Sequence, residues 1–139
     1  MEKFLSTKEI ARKILDIVHE KLGVVSIPIE FDCPKDTSKE GTYVFSENNI
    51  YHYMFIEKGK IRFDNKYTSL FDISYIVLKD VISPIAKDYE FKNRNDKQDF
   101  RRIWFSKELD LWTLFGEDFY ERAKQEMDEI LLNHPYIDE

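Results

Sequence analysis

Glu90 and Lys92 are separated by one residue, with Asp72, Asp80 and Asp88 upstream. A metal-dependent nuclease needs this kind of set: two carboxylates to hold Mg²⁺ and a lysine to place a water or stabilise charge. The setting argues against that chemistry, because the residues around Glu90 follow a helical apolar period, whereas such a set normally sits on a strand. A pattern this short also arises by chance. His19, His52 and His134 lie far apart, and none has a second His or Cys at ligand spacing. His52, on an apolar strand face, reads as a satisfied core or surface histidine rather than a base. The four glycines are isolated, so there is no phosphate-binding loop. No serine or cysteine stands in a nucleophile elbow. The sequence therefore assigns no catalytic residue, no cofactor and no metal site.

Glu90, Arg94, Asp99, Arg101 and Arg102 admit a structural reading instead. They bracket a turn between two apolar helices, where Arg forks on carboxylates and helix-end carbonyls would form a network that locks the turn.

The elements that position these residues follow from periodicity. Ser69 to Phe91 reads as one long helix with two apolar rows, one through Ile73, Val77 and Val81, the other through Tyr75, Leu78 and Ile82. Two rows imply burial on more than one side and make this helix the hub of the fold. Thr68 or Ser69 can cap it, with Asp72 three residues after Ser69, and Pro84 predicts a kink or break between Val81 and Pro84. Upstream, Ser6-Thr7-Lys8-Glu9 is a capping box opening a helix that Gly23 closes. Val24 to Phe31 suggests an edge strand or an extended approach to a sheet. Thr42–Phe45, Ile50–Glu57 and Ile61–Tyr67 read as strands joined by turns at Glu47-Asn48-Asn49 and Lys58-Gly59-Lys60. In the middle strand Tyr51, Tyr53 and Phe55 share one face and Ile50, His52, Met54 and Ile56 the other. Asp96 is the expected cap of a helix through Asp99 to Phe115, and Gly116 separates it from a last helix, Glu117 to Leu132. Strands and helices are segregated. The fold expected is α+β, a small antiparallel sheet of three to four strands packed against a layer of about four helices.

A chain of 139 residues with 42% apolar and 35% charged side chains has the length and make-up of a single domain, 1–139. Its start lacks the apolar core of a secretory signal, and no apolar run is long enough to span a bilayer, so the expectation is a cytoplasmic protein with no membrane partner. The lone Cys33 forms no internal disulfide and reads as a small buried side chain. From Glu117 onward eight carboxylates face only Arg122 and Lys124, a net −6, while the rest of the chain is balanced. Such a chain lacks the basic footprint for nucleic acid, but its acidic end suits a basic partner or a solvated helix face.

One ordered set of residues carries a family resemblance: Tyr51-His52-Tyr53, Glu57-Lys58-Gly59, Asp88-Tyr89-Glu90, Arg94, Asp99-Phe100-Arg101-Arg102 with Phe105, and Pro135 followed by Asp138. Together they resemble the immunity protein 63 family of bacterial polymorphic toxin systems. The resemblance implies a small, non-catalytic cytoplasmic protein that binds and inactivates a cognate toxin protein. An acidic terminus and an abundance of Tyr and Trp agree with a protein interface. The residues expected to meet the toxin are Glu117, Asp118, Glu121 and Asp128 on the last helix, with Tyr51, Tyr53 and Trp112. The rival readings are the nuclease built on Glu90 and Lys92, and an adaptor or oligomer subunit that uses the aromatic sheet face around Tyr51 and Phe55. Oligomeric state is left open by the sequence.

Overall fold

The structure, a computed structural model, describes residues 3–139. The described elements are α1 (Thr7–Leu22), β1 (Gly41–Glu47), β2 (Ile50–Glu57), β3 (Lys60–Tyr67), α2 (Leu70–Lys92), α3 (Arg101–Trp112), a 3₁₀ turn (Thr113–Phe115) and α4 (Glu117–Asn133). The order, a three-stranded antiparallel sheet among helices, is α+β. The chain divides into two compact units, the first running to Leu78 and the second from Lys79 to Glu139. Among the described residues, no helix is long and apolar enough to cross a membrane.

In the first unit α1 starts with the expected capping box. Glu9 N–H donates to Ser6 Oγ (3.2 Å) and Ser6 N–H donates to Glu9 Oε1 (3.0 Å). The Ser6 N–H, then Lys3, hold the Glu9 carboxyl down to about 2. Ile10, Ile14 and Val18, one helical face, are buried, and Gly23 ends the helix in the left-handed region at φ 69°.

The sheet order is β1-β2-β3. Both hairpins close through two residues at positive φ, Asn48-Asn49 (54° and 59°) and Lys58-Gly59 (52° and 72°). That is the type I′ geometry, whose twist matches the strands it joins. Register sets Tyr43 opposite Met54 and Val44 opposite Tyr53. Tyr43, Phe45, Met54 and Ile56 form a buried cluster on one face, and Val44 is fully buried on the other. Both faces of β2 are thus partly covered, as its two-sided apolar pattern requires. A register shift at Phe55/Ile56 puts a bulge in the second hairpin.

Several boundaries differ from expectation. Of the two forms expected of Val24 to Phe31, the segment takes the extended approach to the sheet rather than the edge strand, meeting it through one parallel bridge, Glu30 to Tyr43. Cys33 is exposed, not buried; partial desolvation and the Glu47 carboxylate, 3.8 Å from Sγ, push its thiol pKa up. α2 opens on the Ser69 hydroxyl, which accepts from Asp72 N–H (3.3 Å), and runs unbroken through Pro84. Pro84 is exposed, and the expected break is absent. Ile73, Tyr75, Val77, Leu78, Val81, Ile82 and Ala86 are all buried, as the two apolar rows of α2 require.

In the second unit α3 starts at Arg101 rather than Asp99, and Asp96 is not its cap. Phe100 precedes the first turn without a side-chain cap, and Asp99 Oδ1 accepts Arg101 N–H at 2.9 Å. The helix tightens into the 3₁₀ turn at Thr113, and Gly116 at φ 110° turns the chain into α4.

Candidate protein interface

α4 has the pattern of a helix with one face packed and one in water. Ala123 and Met127 are buried, with Phe119 and Tyr120 half-buried beside them. Glu117, Asp118, Glu121, Gln125, Asp128 and Glu129 are exposed and recur at helical spacing on the opposite side. Glu117 and Asp118 occupy the first turn, where carboxylates complement the helix dipole. Asp128 takes Lys124 at 2.9 Å, and Lys79 reaches Glu126 at 3.2 Å. Among the described residues no cation pairs with Glu117, Asp118 or Glu121. The face is therefore a row of solvated negative charge, able to attract a basic surface at a distance.

What holds α4 in place was only partly visible in the sequence. Trp112 is fully buried and stacks on Phe119, ring centroids 6.0 Å apart, with Phe115 edge-on at 6.3 Å. Beneath it Glu108, 3% exposed, accepts three hydrogen bonds. Its Oε1 accepts from the Ser83 hydroxyl (2.7 Å) and the Trp104 indole N–H (3.1 Å), and Oε2 from the Trp112 indole N–H (3.3 Å). Trp104, Glu108 and Trp112 share a face at i, i+4 and i+8, the one sequence signal that could have revealed this cage.

The arginine cluster forms separate devices rather than one network. Glu90, 4% exposed, takes Arg94 bidentately, Nε to Oε2 at 3.0 Å and Nη2 to Oε1 at 2.8 Å. Asp99 takes Arg101, and Arg102 reaches Asp138 at 2.8 Å. The last two pairs belong to a clamp on the C-terminal segment. Arg101 also donates to the carbonyls of His134 and Pro135 (2.8 and 2.9 Å), Ile137 N–H donates to Asp99 Oδ2 (3.0 Å), and both guanidiniums lie over the Tyr136 ring. Arg101, with the Ile137 N–H, holds the Asp99 carboxyl well below the usual carboxylate range, and Arg102 lowers that of Asp138. Beside this clamp is a cavity of about 490 Å³ whose arginines, Arg94 and Arg101, are already neutralised by the chain's own carboxylates. It offers no open cation to a ligand.

The other expected residues fall elsewhere. Tyr51 is fully buried, stacked on Phe4 at 4.2 Å, its hydroxyl accepting Leu5 N–H at 2.9 Å. Tyr51 and Trp112 are thus core side chains, correcting their expected place at a partner surface: an aromatic this large is retained where it fills volume and satisfies a polar group. Tyr53 is half-buried and stacks on Phe63 at 5.7 Å. His52 is satisfied, Nδ1 lying 2.9 Å from Asp64 Oδ1 and the ring on Phe45. Glu90 and Lys92 sit on a helix, not a strand, with Glu90 committed to Arg94 and Lys92 to Asp88 (2.9 Å). Among the described residues no cluster of His, Cys, Asp and Glu could hold a metal ion.

Comparison with known families decides the class. Residues 47–129 match the family described as Immunity protein 63. The chain belongs to the Immunity protein 63 family. The match takes in β2, β3, α2, α3 and the acidic face of α4 as far as Glu129. Comparison with curated proteins and with solved structures finds no match. Membership in an immunity-protein family makes the partner a toxin protein.

Proposed function

We propose that this immunity protein neutralises its cognate toxin by direct, non-catalytic contact in the cytoplasm of the cell it protects. The observation that carries the reading is the exposed acidic row of α4, Glu117, Asp118, Glu121 and Asp128, of which, among the described residues, Asp128 alone has a paired cation. Such a row raises the encounter rate with a basic surface and does so less as salt rises. A basic toxin domain, met through this row, is the partner we infer. Tyr53 adds an accessible aromatic in the first unit, whereas the core positions of Tyr51 and Trp112 leave them the task of holding the fold.

The test is expression of the toxin domain encoded by the neighbouring upstream gene, with and without this chain, in one host. Growth restored by the intact chain, and restored less well when Glu117, Asp118, Glu121 and Asp128 are replaced by their amides, supports the reading. Toxicity undiminished by the intact chain refutes it.

A further inference from the structure

β3 is an edge strand whose outer side carries features that the acidic face of α4 does not explain. It pairs with β2 alone, and its residues are exposed apart from the half-buried Asp64 and Tyr67. The bridge from Glu30 fixes which backbone groups point outwards. Glu30 N–H donates to the Thr42 carbonyl (2.8 Å) and Val44 N–H to the Glu30 carbonyl (2.9 Å). Thr42 and Val44 therefore face away from β2, and Tyr43 and Phe45 bond to Met54 and His52. By alternation Tyr51, Tyr53 and Phe55 direct their backbone groups at β3, where Tyr67, Asn65 and Phe63 answer. Asp64 and Lys66 are left with N–H and C=O turned away from the sheet. Among the described residues no backbone bond other than those to β2 reaches β3.

The side chains around this open edge give it a chemical preference. Phe63 stacks between Tyr53 and Phe55, each 5.7 Å away, yet stays 39% exposed, and Ile61 is 51% exposed. Lys60, Arg62 and Lys66 lie along β3 and Lys58 in the turn before it, in a chain of net charge −6. Arg62 meets Glu57 only at 3.6 Å and Lys66 meets Asp64 at 3.5 Å. Among the described residues the Lys58 and Lys60 ammonium groups form no ion pair, while Glu40 Oε1 accepts the Lys58 backbone N–H at 2.7 Å. Lysines on an edge discourage casual pairing and repel a second copy of the same edge. They also select an incoming strand that carries acids.

We infer that the outer edge of β3 receives an extended acidic segment of the toxin as a fourth strand, its backbone bonded to Asp64 and Lys66 and an apolar side chain set on Phe63. This rests on the toxin-binding reading above and assigns a different task to a different surface: the α4 row hastens encounter, and the β3 edge slows release.

The experiment uses the full chain and the purified toxin domain encoded by the upstream gene. Amide exchange at Asp64 and Lys66 is compared by NMR in the free chain and the complex, and dissociation is timed for Lys66→Pro, Lys66→Ala and the paired Lys58→Glu/Lys60→Glu variant. Lys66→Pro removes an outward N–H without touching the β2 ladder, so the fold should survive. We expect both amides to exchange at least about tenfold more slowly in the complex. Lys66→Pro and the charge-reversed pair should dissociate at least about tenfold faster, and Lys66→Ala by less than about threefold. Exchange in the unmodified complex gives the answer even if the proline variant unfolds. A toxin bound with both amides unprotected overturns this inference and leaves the toxin-binding reading intact. No binding by the unmodified chain overturns both. Protection that appears in the chain alone as its concentration rises identifies a second copy as the occupant and overturns the inference.

Discussion

Arg101 holds Asp99 by a bidentate pair, Nη2 to Oδ2 at 2.8 Å and Nε to Oδ1 at 3.1 Å, while its Nη1 donates to the carbonyl of His134. One guanidinium thereby joins the start of α3 to the segment that follows α4. Arg101→Lys keeps the charge and loses the planar fork. Residues 134–139 should be released more often, and carboxypeptidase trimming of the last residues should be about tenfold faster or more, the change that loss of ~1.4 kcal/mol of local order produces. Trimming at the unmodified rate would show that the clamp does not order this segment.

Acid should open the same clamp. Asp99 and Asp138 both have their pKa lowered from an ordinary value of 3.8, first by hydrogen bonds from Arg101 and Arg102 respectively. A carboxyl depressed in the folded state contributes stability that is fully present above its unfolded value and is lost as pH falls through its folded value. The Ile137 amide, which donates to Asp99, should therefore keep its native chemical shift above pH 3.8 and lose it progressively below. In Asp138→Asn, part of that acid dependence should disappear.

Glu108 gives the sharpest stability prediction. Glu108→Leu leaves two indole N–H groups and the Ser83 hydroxyl without their acceptor, and should cost about 2–4 kcal/mol. Glu108→Gln keeps one carbonyl oxygen and should cost ~1 kcal/mol. The urea midpoint measures both, with an unchanged slope showing that the compactness of the end states is preserved.

Much of this was legible in the sequence, and the reasons are local. Ser6 with Glu9, Gly23, and the Asn48-Asn49 and Lys58-Gly59 turns act within a few residues, so α1 and both hairpins read correctly. β2 matched its expected bounds because its two apolar faces and its turns agree. The exposed acids of α4 followed from helical period alone. What failed depended on distant partners. Tyr51 is core because Phe4 and Leu5 cover it, and nothing near it in sequence says so. The arginines divide between Glu90 and a C-terminal clamp because Asp138 and Tyr136, some 36 residues from Arg102, return to them.

Tyr51 tests the correction directly. Tyr51→Phe deprives Leu5 N–H of its acceptor and should destabilise by about 1 kcal/mol. Tyr51→Ala also opens a cavity in a fully buried site and should cost about 3–5 kcal/mol. Thermal unfolding separates the two. A Tyr51→Ala chain of native stability would return this side chain to the surface.

The central claim is direct contact with a toxin, and calorimetric titration of the purified chain with the purified toxin domain of the upstream gene tests it without the cell. Direct contact predicts saturable one-to-one binding that weakens with added salt, and weakens again when Glu117, Asp118, Glu121 and Asp128 are made neutral. No heat and no complex at micromolar concentrations, while the same chain still protects cells, would contradict it: protection would then be indirect.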